Sequence, residues 1–448
     1  MEGKRGRVNC FWATVAFSPP SRLPGRHYFT FLLRSCMKHW QIKASLFLNY
    51  FVFAILLNSV GTVILQVQNN YGVSPGQASM LEGYKDLSIA IVSFLLSSYI
   101  TRWGYKNAML AALALVTVVC FIVPSLPGFW VAKLLFAAVG ASFALIKMSV
   151  YGTIGLVTKD EKEHISLMSF IESFFMVGIF AGYFIFSAFV DDANPQSTAW
   201  LKIYYLLGGI SLAAFMLLFT ARLDESESKT ENSGSLVEDF EKMFRLAAVP
   251  LVLVFVLCAF FYVLIEQSIM SWLPTFNQEV LRLPTSLSIE MAAILAGSTA
   301  LGRFLAGFVL QRFHWYAVLS VCLFLAAGVV LLAIPLASNL GGQTFTNWGN
   351  APLVAFVFPC IGLFLAPIYP AINSLILSSL PKQKHGLMSG LIIVFSALGG
   401  TTGSILTGNI FGKQGGQTAF YFSLIPIGIL LVGLFFFKKL QLRSISTP

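Results

Sequence analysis

Twelve stretches of this chain run for about 20 residues or more with almost no charge. They lie near 45–69, 82–101, 107–125, 129–156, 166–189, 200–220, 247–274, 290–311, 316–336, 352–379, 386–411 and 417–437. Crossing the hydrocarbon core of a bilayer takes about 20 mostly apolar residues, since the core is about 30 Å thick and an α-helix rises about 1.5 Å per residue. A run such as LVLVFVLCAFFYVLIEQSIMSW (251–272) is too long and too apolar for a helix that lies on a soluble core. A membrane β-barrel would show short alternating segments instead. The chain is 57% hydrophobic and only 11% charged, too little charge to cover a soluble surface. The expected fold class is an all-α membrane protein, with twelve transmembrane helices in two pseudo-symmetric six-helix halves.

Charge divides the chain further. The segment RLDESESKTENSGSLVEDFEKMFR (222–245) is polar and acidic and reads as an extramembrane linker between the two sets of six. The expected organisation is a basic N-terminal extension at 1–44, a first half at 45–221, the cytoplasmic linker at 222–245, a second half at 246–438 and a tail at 439–448. Of the 29 Lys and Arg residues, 22 fall on the side that holds both termini, and only Lys202, Arg282 and Lys413 fall on the other. By the positive-inside rule both termini are cytoplasmic. The net charge of +10 is thereby a matter of topology, and no nucleic-acid partner is expected. Residues 1–44 contain SPPSRLPG, which cannot span a membrane. Since MKHWQIK from Met37 reads as a short natural N-terminus, residues 1–36 are read as arising from an upstream start codon.

Two local echoes suggest a duplication. KEHISLMS (162–169) recurs as KQKHGLMS (382–389), before spans 5 and 11. SSYITRWGY (97–105) is echoed by GFVLQRFHW (307–315), after spans 2 and 8. The twelve spans, the acidic central linker and the short basic loops after spans 2 and 8 resemble the major facilitator superfamily. Arg102, Gly104 and Lys106 keep part of its loop signature, with Thr101 in place of the aspartate. Within that superfamily the chain resembles the fucose–galactose–glucose:proton symporters and the related TsgA-like permeases. FYVLIEQSIMSWLPTF (261–276) places Tyr262, Val263 and Glu266 on the Tyr-Val-Gly-Ala-Glu stretch of the sugar carriers. LGRFLAG in span 8 resembles their Gly-Arg-Phe, and APIYPAINSL in span 10 their Phe-Pro-Thr-Ile-Phe-Ser-Leu. SFIESFF in span 5 resembles a TsgA-like stretch with aspartate where Glu172 stands. The resemblance implies two six-helix halves around a central cavity and alternating access. It departs at two acids of fucose permease: Gly61 or Thr62 stands at one place and Ile146 or Lys147 at the other.

The polar residues inside the spans supply the candidates. A charge at mid-bilayer is costly and marks function by default. All five histidines lie outside the spans, and of nineteen acids only Glu172 and Glu266 lie well inside them, so these two are the proton-coupling candidates. Lys147 and Glu172 each lie ~13 residues from the loop near residue 160, hence ~20 Å deep on antiparallel spans. An ion pair between them is expected, with a fixed brace as the alternative. Arg303 is the second charge partner, for Glu266 or for an anionic solute. Asn58, Thr62 and Gln66 share a helix face at spacing four. With Asn373 and Trp272 they are the substrate-binding candidates, amides for hydroxyl groups and an indole for a sugar face, against helix–helix contacts and a lipid-interface anchor. Glu82, Lys85 and Asp86 form an i, i+3, i+4 cluster near the outer end of span 2 and read as an outer gate or a local brace.

No Cys/His cluster, Walker signature or catalytic triad is present, so no metal, cofactor, catalytic residue or enzymatic activity is expected. The expected function is proton symport of a small polar solute, most simply a sugar, across a bacterial inner membrane. A proton-antiport exporter of metabolites or drugs and a carrier of an anionic solute are the alternatives. The expected partners are the solute, the proton and membrane lipid, with the protein a monomer.

Overall fold

The computed structural model describes residues 40–96, 100–158, 161–221, 223, 225, 241, 243, 245–337, 345–380 and 385–446. Residues 1–39 of the N-terminal extension and most of the linker lie outside the described residues, and the extension's last five residues are part of the first helix. The remainder is helical, with no strand among the described residues. The first crossing is made of α1 (Trp40–Asn58) and α2 (Val60–Tyr71). There follow α3 (Met80–Leu96), α4 (Tyr105–Ile122), α5 (Phe129–Val157), α6 (Glu161–Ser187) and α7 (Ile203–Thr220). After the linker come α8 (Pro250–Glu279), α9 (Thr285–Arg312) and α10 (Trp315–Ala337). The tenth crossing is segmented and ends in α11 (Ile368–Ser378), and α12 (His385–Gln414) and α13 (Leu424–Ser446) complete the set.

Eleven helical segments among the described residues are long and apolar enough to cross a membrane. The twelfth crossing is α3, which carries Glu82, Lys85 and Asp86. Its three charges set it apart from the other crossings, and their pairing among other helices is what makes them tolerable. The all-helical, multi-pass architecture is therefore the one the apolar runs imply.

Two of the crossings are bent or broken within the region that frames the site. Between α1 and α2, Ser59 turns its hydroxyl back to the Leu56 carbonyl at 2.8 Å while its own carbonyl still accepts from Val63 at 2.8 Å. Back-bonding of this kind bends a helix without ending it. Gly61 follows at once, packed so closely on α8 that a Cβ there would lie 2.9 Å from the carbonyl oxygens of Met270 and Ser271. The tenth crossing breaks into Leu353–Val357, a 3₁₀ turn Phe358–Cys360, Ile361–Leu365 and α11. Pro359, Pro367 and Pro370 each remove a helical N–H donor there.

Within the first six crossings, α5 packs on α3 and α4, and α4 on α7. Within the second six, α8 packs on α12 and α13. Among the described residues the main helix pairs that join the two sets are α2 with α8, α3 with α12, the short helix Pro75–Ala78 with α12, and α6 with α9. The first two meet near the 72–79 connection. Asn69 donates to Gln278 at 3.3 Å, and Gly83 and Asp86 face Thr401 and Gly400. The α6–α9 seam is longer. It begins where Ser286 N–H donates to Asp192 at 2.9 Å, continues through Ser187 donating to Glu290 at 2.8 Å, and reaches Arg303 beside Met176 at 3.7 Å. From Ser286 to Arg303 α9 rises about 26 Å. Away from the 72–79 end, Lys147 and Tyr151 on α5 and Ser374 on α11 are exposed. The helices are thus closed together at one end and leave a polar cleft open toward the other.

Candidate functional site

The cleft is lined by two carboxylates, one from each set of six helices, and each is taken by a tyrosine. On α6, Glu172 accepts the Tyr151 hydroxyl of α5 at 3.0 Å. On α8, Glu266 accepts the Tyr262 hydroxyl one turn earlier at 2.9 Å. The spacing of four residues puts Tyr262 and Glu266 on one helix face. The Tyr262 ring in turn stacks on Tyr369 of α11, with centroids 5.4 Å apart and planes inclined by 21°. Tyr369 and Ser396 of α12 share a hydrogen bond at 2.9 Å.

Two cations accompany the carboxylates. Arg303 reaches from α9 to Glu266, with Nη2 3.9 Å from Oε1, and its other arm rests on the Met176 sulfur. At that separation, and with both side chains partly exposed, the pair is a weak one. Lys147 lies one turn before Tyr151 on α5. It is densely surrounded by protein atoms, and its electrostatic neighbours are Glu172 and Arg303. Solvent nevertheless reaches it, as befits a group in a deep cleft. It makes no ion pair within 4.0 Å among the described residues, and the nearest described contact of its ammonium is the Phe143 ring, 5.9 Å to the centroid. The hydrogen bond that the Glu172 carboxylate accepts comes from Tyr151, not from Lys147. Four ionisable groups of balanced charge therefore share one cleft, ringed by the hydroxyls of Tyr151, Tyr262 and Tyr369.

Glu82, Lys85 and Asp86 sit elsewhere, at the closed end. They are 0%, 5% and 7% exposed. The Lys85 ammonium contacts Glu82 and lies 3.5 Å from Asp86 Oδ1. Across the seam, Ser271 of α8 donates to the second Glu82 oxygen at 2.8 Å. Asp86 Oδ2 has no hydrogen-bond partner and presses on Gly400 of α12, where any side chain would collide with it.

The remaining candidates are scattered. Asn58 turns its amide back to the Ala54 carbonyl at 2.8 Å and borders, with Thr62 and Tyr183, a small void between α1, α2 and α6. Thr62 and Gln66 are buried, and the Gln66 amide nitrogen has no partner. Asn373 lies on α11, half-buried, in hydrogen-bond contact with Tyr369 at the cleft, its amide oxygen unpartnered. Trp272 is fully buried, and its indole donates to the Ser404 carbonyl at 3.1 Å. It packs between α8 and α12 with no free face toward the cleft in this conformation. Among the described residues no group of His, Cys, Asp and Glu has the arrangement of a metal site. Tyr151 and Tyr369 were not among the sequence candidates. The signal for Tyr151 was its place four residues after Lys147.

Comparison with known proteins adds three findings. The family model for the Major Facilitator Superfamily matches residues 46–401. The Protein TsgA homolog of Buchnera aphidicola subsp. Acyrthosiphon pisum (strain Tuc7) is 22% identical over 400 residues, covering 88% of this chain and 94% of that protein. Among solved structures, a bacterial homolog of the human lysosomal transporter Spinster, in its inward-facing and occupied conformation, superposes with a TM-score of 0.72. It is 14% identical, covering 90% of this chain and 97% of the other. The E. coli fucose:proton symporter FucP superposes with a TM-score of 0.58 at 16% identity, over 89% and 99% of the two chains. At such identities the structural likeness concerns the fold alone.

Proposed function

This chain belongs to the major facilitator superfamily and is a multi-pass secondary transporter, and from that premise we propose that it moves a small neutral polyhydroxylated solute, such as a sugar, by proton symport. In this reading both termini are cytoplasmic, by the distribution of Lys and Arg, and the membrane is a bacterial inner membrane, as the likeness to a bacterial TsgA homolog supports. The conformation is then the inward-open one, closed at the outer end and open to the cytoplasm.

One observation carries the reading: two carboxylates, Glu172 and Glu266, face a common cleft from opposite halves, each held by a tyrosine hydroxyl. A solute rich in hydroxyls can replace those tyrosine donors with its own and so tie its binding to the charge on each carboxylate. With Lys147 and Arg303 the cleft carries no excess charge, which suits a neutral cargo. That a fucose:proton symporter shares the fold adds support at the level of architecture.

The test is uptake by proteoliposomes of labelled neutral hexoses, amino sugars and sugar acids, with and without an inward proton gradient. Gradient-stimulated uptake of a neutral sugar, lost in Glu172→Gln and Glu266→Gln, is the expected result. No uptake from the whole panel would sink the reading. A second reading, transport of an anionic solute, is favoured by one feature: Lys147 is exposed and has no ion-pair partner within 4.0 Å among the described residues. Uptake confined to sugar acids and abolished by Lys147→Met would select it.

A further inference from the structure

The closed end holds a charge imbalance that the cleft does not explain. Glu82 and Asp86 bring two carboxylates and Lys85 one ammonium, and all three are buried where α3 meets α8 and α12. Ionised together they leave one uncompensated negative charge. An uncompensated buried charge costs several kcal/mol even after the protein relaxes. Its location is specific: Lys85 takes one oxygen of each acid and Ser271 the second oxygen of Glu82, so Asp86 Oδ2 is left without any partner. That oxygen is pressed against Gly400 of the other half. Among the described residues nothing around it neutralises the charge. Tyr183 of α6 lies near Glu82, and α5 brings Lys133, which stacks on Phe129 with its ammonium 4.4 Å from the ring centroid. From α8 come Gln267 and Ser271, and from α12 Gly400 and Thr401, none of which titrates. Among the described residues the charged groups acting on Asp86 are Lys85 and Glu82.

We propose that Asp86 is a proton-binding site whose occupancy locks the outer end shut. With the halves apart at that end, water reaches the cluster and both acids are ionised. A proton from the external solution adds to the Asp86 carboxylate, forming an O–H bond on Oδ2 and bringing the cluster to neutrality. The halves then close over it with Gly400 against the neutral acid. On reopening the proton returns to the external solution. This site is separate from Glu172 and Glu266 and holds whichever solute is carried.

The sign and size follow from linkage. The closed form binds one proton more than the open form, so the closed-to-open ratio falls as pH rises, by about tenfold per pH unit while the open-state acid is ionised. The measurement uses the full-length protein in lipid nanodiscs, with spin labels on cysteines placed at Gln77 and Lys413 and the native cysteines replaced. Both positions are exposed and border the seam. The short-distance population in the otherwise native protein is expected to decline with pH at that slope. Asp86→Asn and Glu82→Gln each make the cluster neutral without a proton, and both are expected to stay closed at every pH. Lys85→Met leaves two charges to neutralise, and its closure is expected to steepen to about hundredfold per pH unit and to need more acid. The Glu172→Gln, Glu266→Gln double variant is expected to keep the native response. A pH-independent distance distribution in the native protein overturns the proposal with no variant required. So does an Asp86→Asn protein that still follows the native curve, or a double variant that abolishes it.

Discussion

Gly61→Ala should push the outer end open. A Cβ at this position would lie 2.9 Å from the carbonyl oxygens of Met270 and Ser271 and 3.1 Å from the Ser271 carbonyl carbon. All are backbone atoms of α8, which cannot rotate away as a side chain would. Overpacking of this kind costs roughly 1–3 kcal/mol. The cost falls only on the state in which α2 touches α8, so it enters the conformational equilibrium in full. Alanine also favours the helix over glycine by about 1 kcal/mol, but α2 is helical in both states and that term cancels. The closed-to-open ratio is therefore expected to fall about 5- to 160-fold. The spin pair at positions 77 and 413 reads that ratio directly. Gly209→Ala is the control, because a Cβ there meets nothing within 4 Å. If Gly61→Ala leaves the distance distribution where the Gly209→Ala control leaves it, the contact between α2 and α8 does not hold the outer end shut and the reasoning fails.

Other outcomes are expected from single changes. Tyr151→Phe removes the hydrogen bond to Glu172 that the solute has to displace, an interaction with a charged acceptor worth about 1.5–3 kcal/mol, and should lower the KM for the solute about 10- to 150-fold without changing expression. Lys147→Met removes a cation with no ion pair within 4.0 Å among the described residues, so the thermal midpoint of the detergent-solubilised protein should shift by no more than the equivalent of about 0.5 kcal/mol; a larger loss would mean the lysine is structural after all. Trp272→Phe removes the donor to Ser404 and should cost about 0.5–1.5 kcal/mol of stability, seen in a thermal melt, with the KM for solute unchanged. Lys106→Met strips the cation that caps the C-terminal carbonyls of α7, those of Phe219 at 3.1 Å and Ala221 at 2.6 Å. It should speed amide exchange in the last turn of α7 by up to about fivefold, measurable by hydrogen–deuterium exchange.

The fold was legible because the bilayer imposes one strong rule, and the long apolar runs obey it. Where the rule weakens, so did the reading. Helix α3 carries three charges that only its neighbours make tolerable. The bend at Ser59 depends on where one hydroxyl points, while the break in the tenth crossing was written in Pro359, Pro367 and Pro370. Depth counting sets Lys147 and Glu172 at one level, but counting gives height and not azimuth, and the hydrogen bond to Glu172 comes from Tyr151. The contacts that matter most at the closed end join residues far apart in the chain, Ser271 to Glu82 and Asp86 to Gly400. No local pattern encodes them. A polar residue in a span announces that it needs a partner, and only the packing says which.

The long seam between α6 and α9 has a mechanical consequence. Two bodies that rock against each other need a line along which they stay in touch, and this seam runs about 26 Å, most of the thickness of a hydrocarbon core. Its midpoint is lined by Phe180 against Gly297, a smooth contact with nothing to break. Such a line acts as an axle. Friction on an axle changes how fast a body swings and leaves its resting position alone. Bulk added at Gly297 should accordingly slow the exchange between the two openings while the balance between them stays put.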